Sequence, residues 1–158
     1  MSLELHVALE PIAFLLGTWR GEGEGEYPGV DPFRYTEELS FEHVGDAFLL
    51  VTGSSWTPDG EPLHFERGTL RPVGAGRVDL TLAHPIGVAE VAEGTVEGTS
   101  VTVSSTAIVR TATGSPVTEV ARRYRLHGDD LSYELDMAME GVPMTRHLDG
   151  ELHRVVGP

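Results

Sequence analysis

The chain has no cysteine, which excludes disulfides, thiolate metal ligands and a cysteine nucleophile, and fits a reducing compartment. Basic residues are scarce too: 11 Lys and Arg stand against 25 Asp and Glu, a formal charge of −14. Nucleic acid and anionic membrane surfaces both need basic patches, so neither is expected as a partner. Long apolar runs are absent. The longest near the start, Ile12 to Leu16, falls far short of the roughly 20 residues that span a bilayer. Glu4 and no Lys or Arg precede it, so the basic opening of a secretory leader is missing and a cytoplasmic protein is expected. No G-x-S-x-G elbow and no H-E-x-x-H pair occurs. The glycine-rich Gly21-Glu22-Gly23-Glu24-Gly25 fails as a phosphate cradle, because Glu22, Glu24 and Glu26 would repel the anion.

What the sequence does have is alternation. With 158 residues and 40% apolar content, one domain spanning 1–158 with a real core is expected. Leu5, Leu9, Ile12, Leu15 and Leu16 have roughly helical spacing, interrupted by Pro11, which predicts a short N-terminal helical segment. After Gly17 the period becomes two. Thr18 to Glu26 puts Thr, Arg and three Glu on one face, and Trp19, Gly21, Gly23 and Gly25 on the other. Phe33, Tyr35, Leu39, Phe41 and His43 share a face, with Glu37 as a misfit read as a strand-end or bulge residue rather than a general base. Val78, Leu80, Leu82 and His84 form another apolar row, and Leu131, Tyr133, Leu135, Met137 and Met139 a third.

Turn signals at Pro58-Asp59-Gly60, Gly74-Ala75-Gly76, Gly114-Ser115-Pro116 and Gly128-Asp129-Asp130 divide the rows into about ten short strands. The pattern is all-β and suggests an antiparallel up-and-down β-barrel or a sandwich. Three alternate glycines after Trp19 tip the choice, since a sandwich core would place branched apolar residues there. Close backbone approach, space for a ligand and a bend at a barrel corner all remain open as their reason.

Seven histidines carry most of the available chemistry. His6 and His127 sit in polar or terminal settings and read as surface. His43 and His84 end apolar rows, as pocket residues would, and the facing of His64 is undecided. Most acidic residues fall on wet faces, so a paired-carboxylate site is not expected.

The segment Gly17-Thr18-Trp19-Arg20-Gly21-Glu22-Gly23 resembles the G-x-W-x-G-x-G signature of the nitrobindins. The similarity continues through Tyr27-Pro28, Phe33-x-Tyr35-x-Glu37-Glu38, Gly68-x-Leu70-Arg71, Leu82-Ala83-His84-Pro85 and Asp130-Leu131-Ser132-Tyr133. It ends on His147-Leu148-Asp149-Gly150-Glu151-Leu152, and so covers essentially the whole chain. The resemblance implies a ten-stranded barrel holding one haem b per subunit, with His147 rather than His153 as ligand to the iron. It also implies Leu63, His64, His84 and Met137 as residues flanking the haem. Gly150 replaces a usual alanine, and Thr118 stands where lysine is common near the haem edge. The implied activity is reversible binding of nitric oxide and isomerisation of peroxynitrite to nitrate by the iron itself, with no catalytic side chain. The expected partners are these small molecules, with a homodimer left open.

Alternation alone puts His147 with Thr145, Asp149 and Glu151, opposite Leu148 and Leu152, unless a bulge near Asp149–Gly150 turns it inward. A non-enzymatic carrier of a lipid or other apolar ligand is the alternative reading, and a barrel serving as a protein-interaction module is a third.

Overall fold

The computed structural model describes residues 2–156. A 3-10 helix, Val7–Leu15, precedes ten strands: β1 (Gly17–Tyr27), β2 (Val30–His43), β3 (Leu49–Trp56), β4 (Pro62–Gly74), β5 (Arg77–His84), β6 (Val88–Glu97), β7 (Ser100–Arg110), β8 (Val117–His127), β9 (Asp130–Met139) and β10 (Val142–Arg154). Each strand pairs antiparallel with its sequence neighbours, and β1 pairs with β10 to close an up-and-down barrel. Closure leaves no edge strand, although β7 pairs with β8 only over Ser100 to Ser104.

The helical segment is 3-10 along its length, with Pro11 inside it. Its buried residues are Leu9, Ile12 and Leu15. That spacing of three matches a helix with three residues per turn, so they form one row facing the barrel. His6 accepts a hydrogen bond from the Ala8 amide at its start. At its end, Arg154 donates to the carbonyls of Phe14 and Leu16, which would otherwise lack partners. The helix thereby plugs one pole. Trp19 lies fully buried beneath it and donates its indole N–H to the Leu15 carbonyl at 2.8 Å, with the Arg154 guanidinium 4.1 Å above the ring.

The glycines of β1 answer to close approach. A Cβ on Gly21 would stand 2.0 Å from the Glu151 carbonyl oxygen of β10. One on Gly23 would stand 2.3 Å from the Tyr35 ring, and one on Gly25 would stand 2.2 Å from the Phe33 ring. Backbone and aromatic rings from β10 and β2 therefore fill the space in which a ligand had been conceivable. The motif residues Gly17, Trp19, Gly21 and Gly23 build the barrel wall and its closed pole.

Inside the barrel the closed half is apolar, with Leu39, Phe41, Val51, Leu70, Leu80 and Tyr124 among its buried residues. Above it the polar or charged residues Glu37, Glu66, Glu90 and Arg122 are buried. Glu37 thus corrects the sequence reading. It is no strand-end or bulge residue, because β2 keeps regular register with β1 and β3 around it and the side chain points inward at 6% exposure.

Candidate functional site

The open half of the barrel holds a cavity of about 300 Å³, at the lower end of the range for small-molecule sites. Its upper walls are apolar, from Val88, Val117, Val120, Leu135, Met137 and Leu148, and its floor carries Glu37, Glu66, Arg122 and Tyr133. Phe33, Leu63 and Ile86 also line it, and Leu63 and Ile86 are exposed. His64, His84, Met137, Leu63 and His147, all named from the sequence, line this one cavity. The residues Gly17, Trp19, Gly21 and Gly23 do not. Neither does His43, which pairs with Leu49 at the closed end of β2, so its expected pocket position is corrected. Thr118 is exposed and lies outside the cavity, unlike its neighbour Val117.

His147 reaches the cavity through a bulge, though not where alternation suggested. Arg146 pairs with Asp136 and Leu148 with Leu135, consecutive residues of β9, so His147 is the extra residue. His147 and Leu148 consequently both line the cavity, while Gly150 remains in regular register with Tyr133. The His147 Nδ1 lies 3.0 Å from the Glu26 carbonyl oxygen. A carbonyl only accepts, so Nδ1 carries the proton and Nε2 is the lone-pair nitrogen. The Tyr27 ring meets the imidazole edge-on at 5.1 Å and the Phe33 ring at 6.1 Å. Tyr27 is itself anchored by donating to the Met137 carbonyl at 3.0 Å. His153, the competing candidate, is exposed on the outside of β10 and pairs with Asp130.

Across the barrel, β4, β5, β6 and β8 supply a connected polar cluster. His64 Nε2 lies 3.0 Å from His84 Nδ1, and His84 Nε2 lies 2.7 Å from Glu90 Oε1. Arg122 donates to Glu90, to Glu66 Oε1 at 3.1 Å and to the Tyr133 hydroxyl at 3.0 Å. Burial by itself would raise the Glu66 carboxyl, but the Arg122 guanidinium and the two histidines outweigh it and hold the group at about 2. Glu90 is likewise lowered, with Arg122 and the His84 hydrogen bond overcoming burial. Glu37 has no such partner. Burial and the nearby Glu66 charge push it up to about 8, against a weaker pull from Arg122. At neutral pH the cluster and the neighbouring Glu37 therefore hold two ionised carboxylates, one guanidinium and one mostly protonated acid.

Glu66, Glu90, Arg122 and Tyr133 were not singled out as site residues from the sequence, and the absence of a carboxylate cluster was expected instead. The signal was present: Val88-x-Glu90-x-Ala92 and Val120-x-Arg122-x-Tyr124 each place a charge in an apolar row, as Glu37 does. Three such misfits in one closed barrel have to meet inside it.

The family described as "THAP4-like, heme-binding beta-barrel domain" matches residues 8–154. The chain belongs to this family. Among relatives of this haem-binding barrel, "Peroxynitrite isomerase 2" of Mycobacterium marinum is 43% identical over 159 residues, covering 98% of this chain and 99% of the relative. "Peroxynitrite isomerase" of Frankia casuarinae is 43% identical over 167 residues, covering 98% of this chain and 89% of the relative. The crystal structure of Rv2717c from M. tuberculosis superposes with a TM-score of 0.90 at 42% identity, covering 97% of this chain and 100% of that one. The cavity of this haem-binding barrel suits the cofactor. Its upper walls are apolar, as a macrocycle needs, and the lone-pair Nε2 of His147 is a donor that could hold an iron. Among the described residues, no helix is long and apolar enough to cross a membrane.

Proposed function

We propose that the chain binds one haem b per subunit in the cavity, with His147 Nε2 as ligand to the iron, and converts peroxynitrite to nitrate. Nitric oxide is the further ligand this reading implies. The observation that carries it is the tautomer of His147, fixed by the Glu26 carbonyl with Nε2 left to bind metal. The names of the mycobacterial and Frankia relatives supply the substrate.

Haem held there by His147 would supply the iron chemistry by which peroxynitrite isomerises. The chain's own residues hold and exclude. Tyr27 and Phe33 fix the plane of the His147 ring, Met137 and Leu148 keep water from the pocket, and Leu63, His64 and His84 flank the opposite wall. Isomerisation leaves the proton count unchanged, so no side chain need serve as an obligatory acid or base. For the alternative, a non-enzymatic carrier of a lipid or other apolar ligand, the floor disfavours any ligand with a carboxylate, because Glu66 and Glu90 already occupy Arg122.

Hemin titration of the purified chain, followed by stopped-flow peroxynitrite decay, tests the proposal. A Soret band saturating at one hemin per chain, with faster decay and nitrate as product, is expected. Absence of a saturable band, together with fatty-acid displacement of a fluorescent apolar probe, would replace it with the carrier reading.

A further inference from the structure

The polar cluster on the wall opposite His147 is built like a metal site. We propose that His64, Glu66 and His84 bind a divalent first-row transition ion, separate from any iron that His147 ligates.

Geometry is the first support. His64 Nε2, His84 Nδ1 and Glu66 Oε2 form a triangle with sides of 3.0, 3.6 and 3.7 Å. The point equidistant from the three atoms lies about 2.0 Å from each, the length of zinc–imidazole and zinc–carboxylate bonds. The carboxylate oxygen is too far from either ring for a hydrogen bond. Among the described residues it has only loose ion-pair contacts with the two imidazoles.

The surrounding shell is the second. A histidine that ligates a metal through one nitrogen donates its other N–H to an acceptor, commonly a carboxylate. His84 has that arrangement, with Nε2 on Glu90 Oε1 at 2.7 Å, so Nδ1 keeps its lone pair. Glu66 is oriented in the same manner: Oε1 accepts from Arg122, leaving Oε2 on the side of the histidines. Arg122 thus braces both carboxylates, one as ligand and the other as the partner of a ligand.

Charge is the third. Within the cluster two carboxylates face a single guanidinium, and a divalent ion makes the net charge positive. Two imidazoles and one carboxylate select zinc, ferrous iron or a similar ion over magnesium or calcium, which prefer all-oxygen sites. With three protein ligands, the ion keeps open positions on the cavity side, the arrangement of reactive rather than purely structural sites.

The test uses the full-length chain, hemin-loaded and hemin-free, with zinc as the probe. Zinc X-ray absorption on the parent should show one ion per chain with two imidazoles in its shell. His64→Ala, at the partly exposed rim where folding is least at risk, should weaken zinc binding at least tenfold. Glu90→Gln should weaken it about 10–100-fold by releasing His84, with circular dichroism checking that both variants fold. Zinc held without imidazole scattering, or bound equally by parent and variants, would overturn the site and leave a hydrogen-bonded histidine pair. The outcome is independent of the haem reading: His147→Ala should keep its zinc whether or not it binds hemin.

Discussion

Nδ1 of His147 and the main-chain oxygen of Glu26, 3.0 Å apart on adjoining strands, fix which nitrogen of the imidazole is free. The contact exists because β10 bulges at His147, which places the ring beside Glu26 on β1. A side chain held in one tautomer and packed by Tyr27 and Phe33 loses little freedom on binding metal. His147→Ala should therefore abolish the saturable Soret band on hemin addition while leaving the far-ultraviolet circular dichroism of the barrel intact. His153→Ala, outside the barrel and tied to Asp130, should titrate as the parent does. A reversal of these two results would move the ligand to His153.

Phe33 and Gly25 form a second pair whose roles are separable. The ring lies where a Cβ on Gly25 would go, at 2.2 Å, and the three nearest atoms to that position are all Phe33 ring carbons. Gly25→Ala should thus destabilise the chain by about 1–3 kcal/mol through overpacking. Trimming the ring in Phe33→Ala should restore room for the methyl group. Urea denaturation of both single variants and the double variant should give a coupling of about 0.5–3 kcal/mol, the double variant being less damaged than the sum. Simple additivity would show that backbone strain, not the ring, requires glycine there.

Stability should vary with pH through two buried acids of opposite shift. Glu37, raised from 4.5 to about 8, is protonated in the fold where the unfolded chain is ionised. Its contribution is therefore present at low pH and is lost as pH rises from 4.5 to about 8. Glu66, lowered from 4.5 to about 2, works in the other direction: its contribution is present above 4.5 and lost as pH falls towards 2. Glu37→Gln should remove the alkaline limb, gaining on the order of a few kcal/mol over the parent at pH 8–9 and little at pH 4.5. Thermal unfolding across that range checks it, and parallel parent and variant curves would contradict the assignment.

The barrel was legible because half-buried antiparallel strands write period two directly into the chain, and because turns such as Gly74-Ala75-Gly76 mark the hairpins with residues at positive φ. The 3-10 character of the opening helix was less visible, since Leu9, Ile12 and Leu15 fit either helical period over so short a stretch. His147 could not be read from alternation at all. A bulge inverts parity locally, and nothing in Arg146-His147-Leu148 announces one. The buried cluster was missed for a different reason. Each of Glu37, Glu90 and Arg122 is a lone exception within its own strand, Glu66 has only His64 beside it, and only the closure of the sheet brings them together.

The direction of the first and last strands has a practical consequence. β1 sets out from the pole plugged by the helix and β10 returns to it, with Trp19 opposite Arg154, while Tyr27 and His147 mark the far end. A polypeptide fused ahead of the helix or behind β10 would trail from the sealed pole. Tethered to a sensor surface or a reporter protein by either end, the molecule should present its mouth to solution unobstructed.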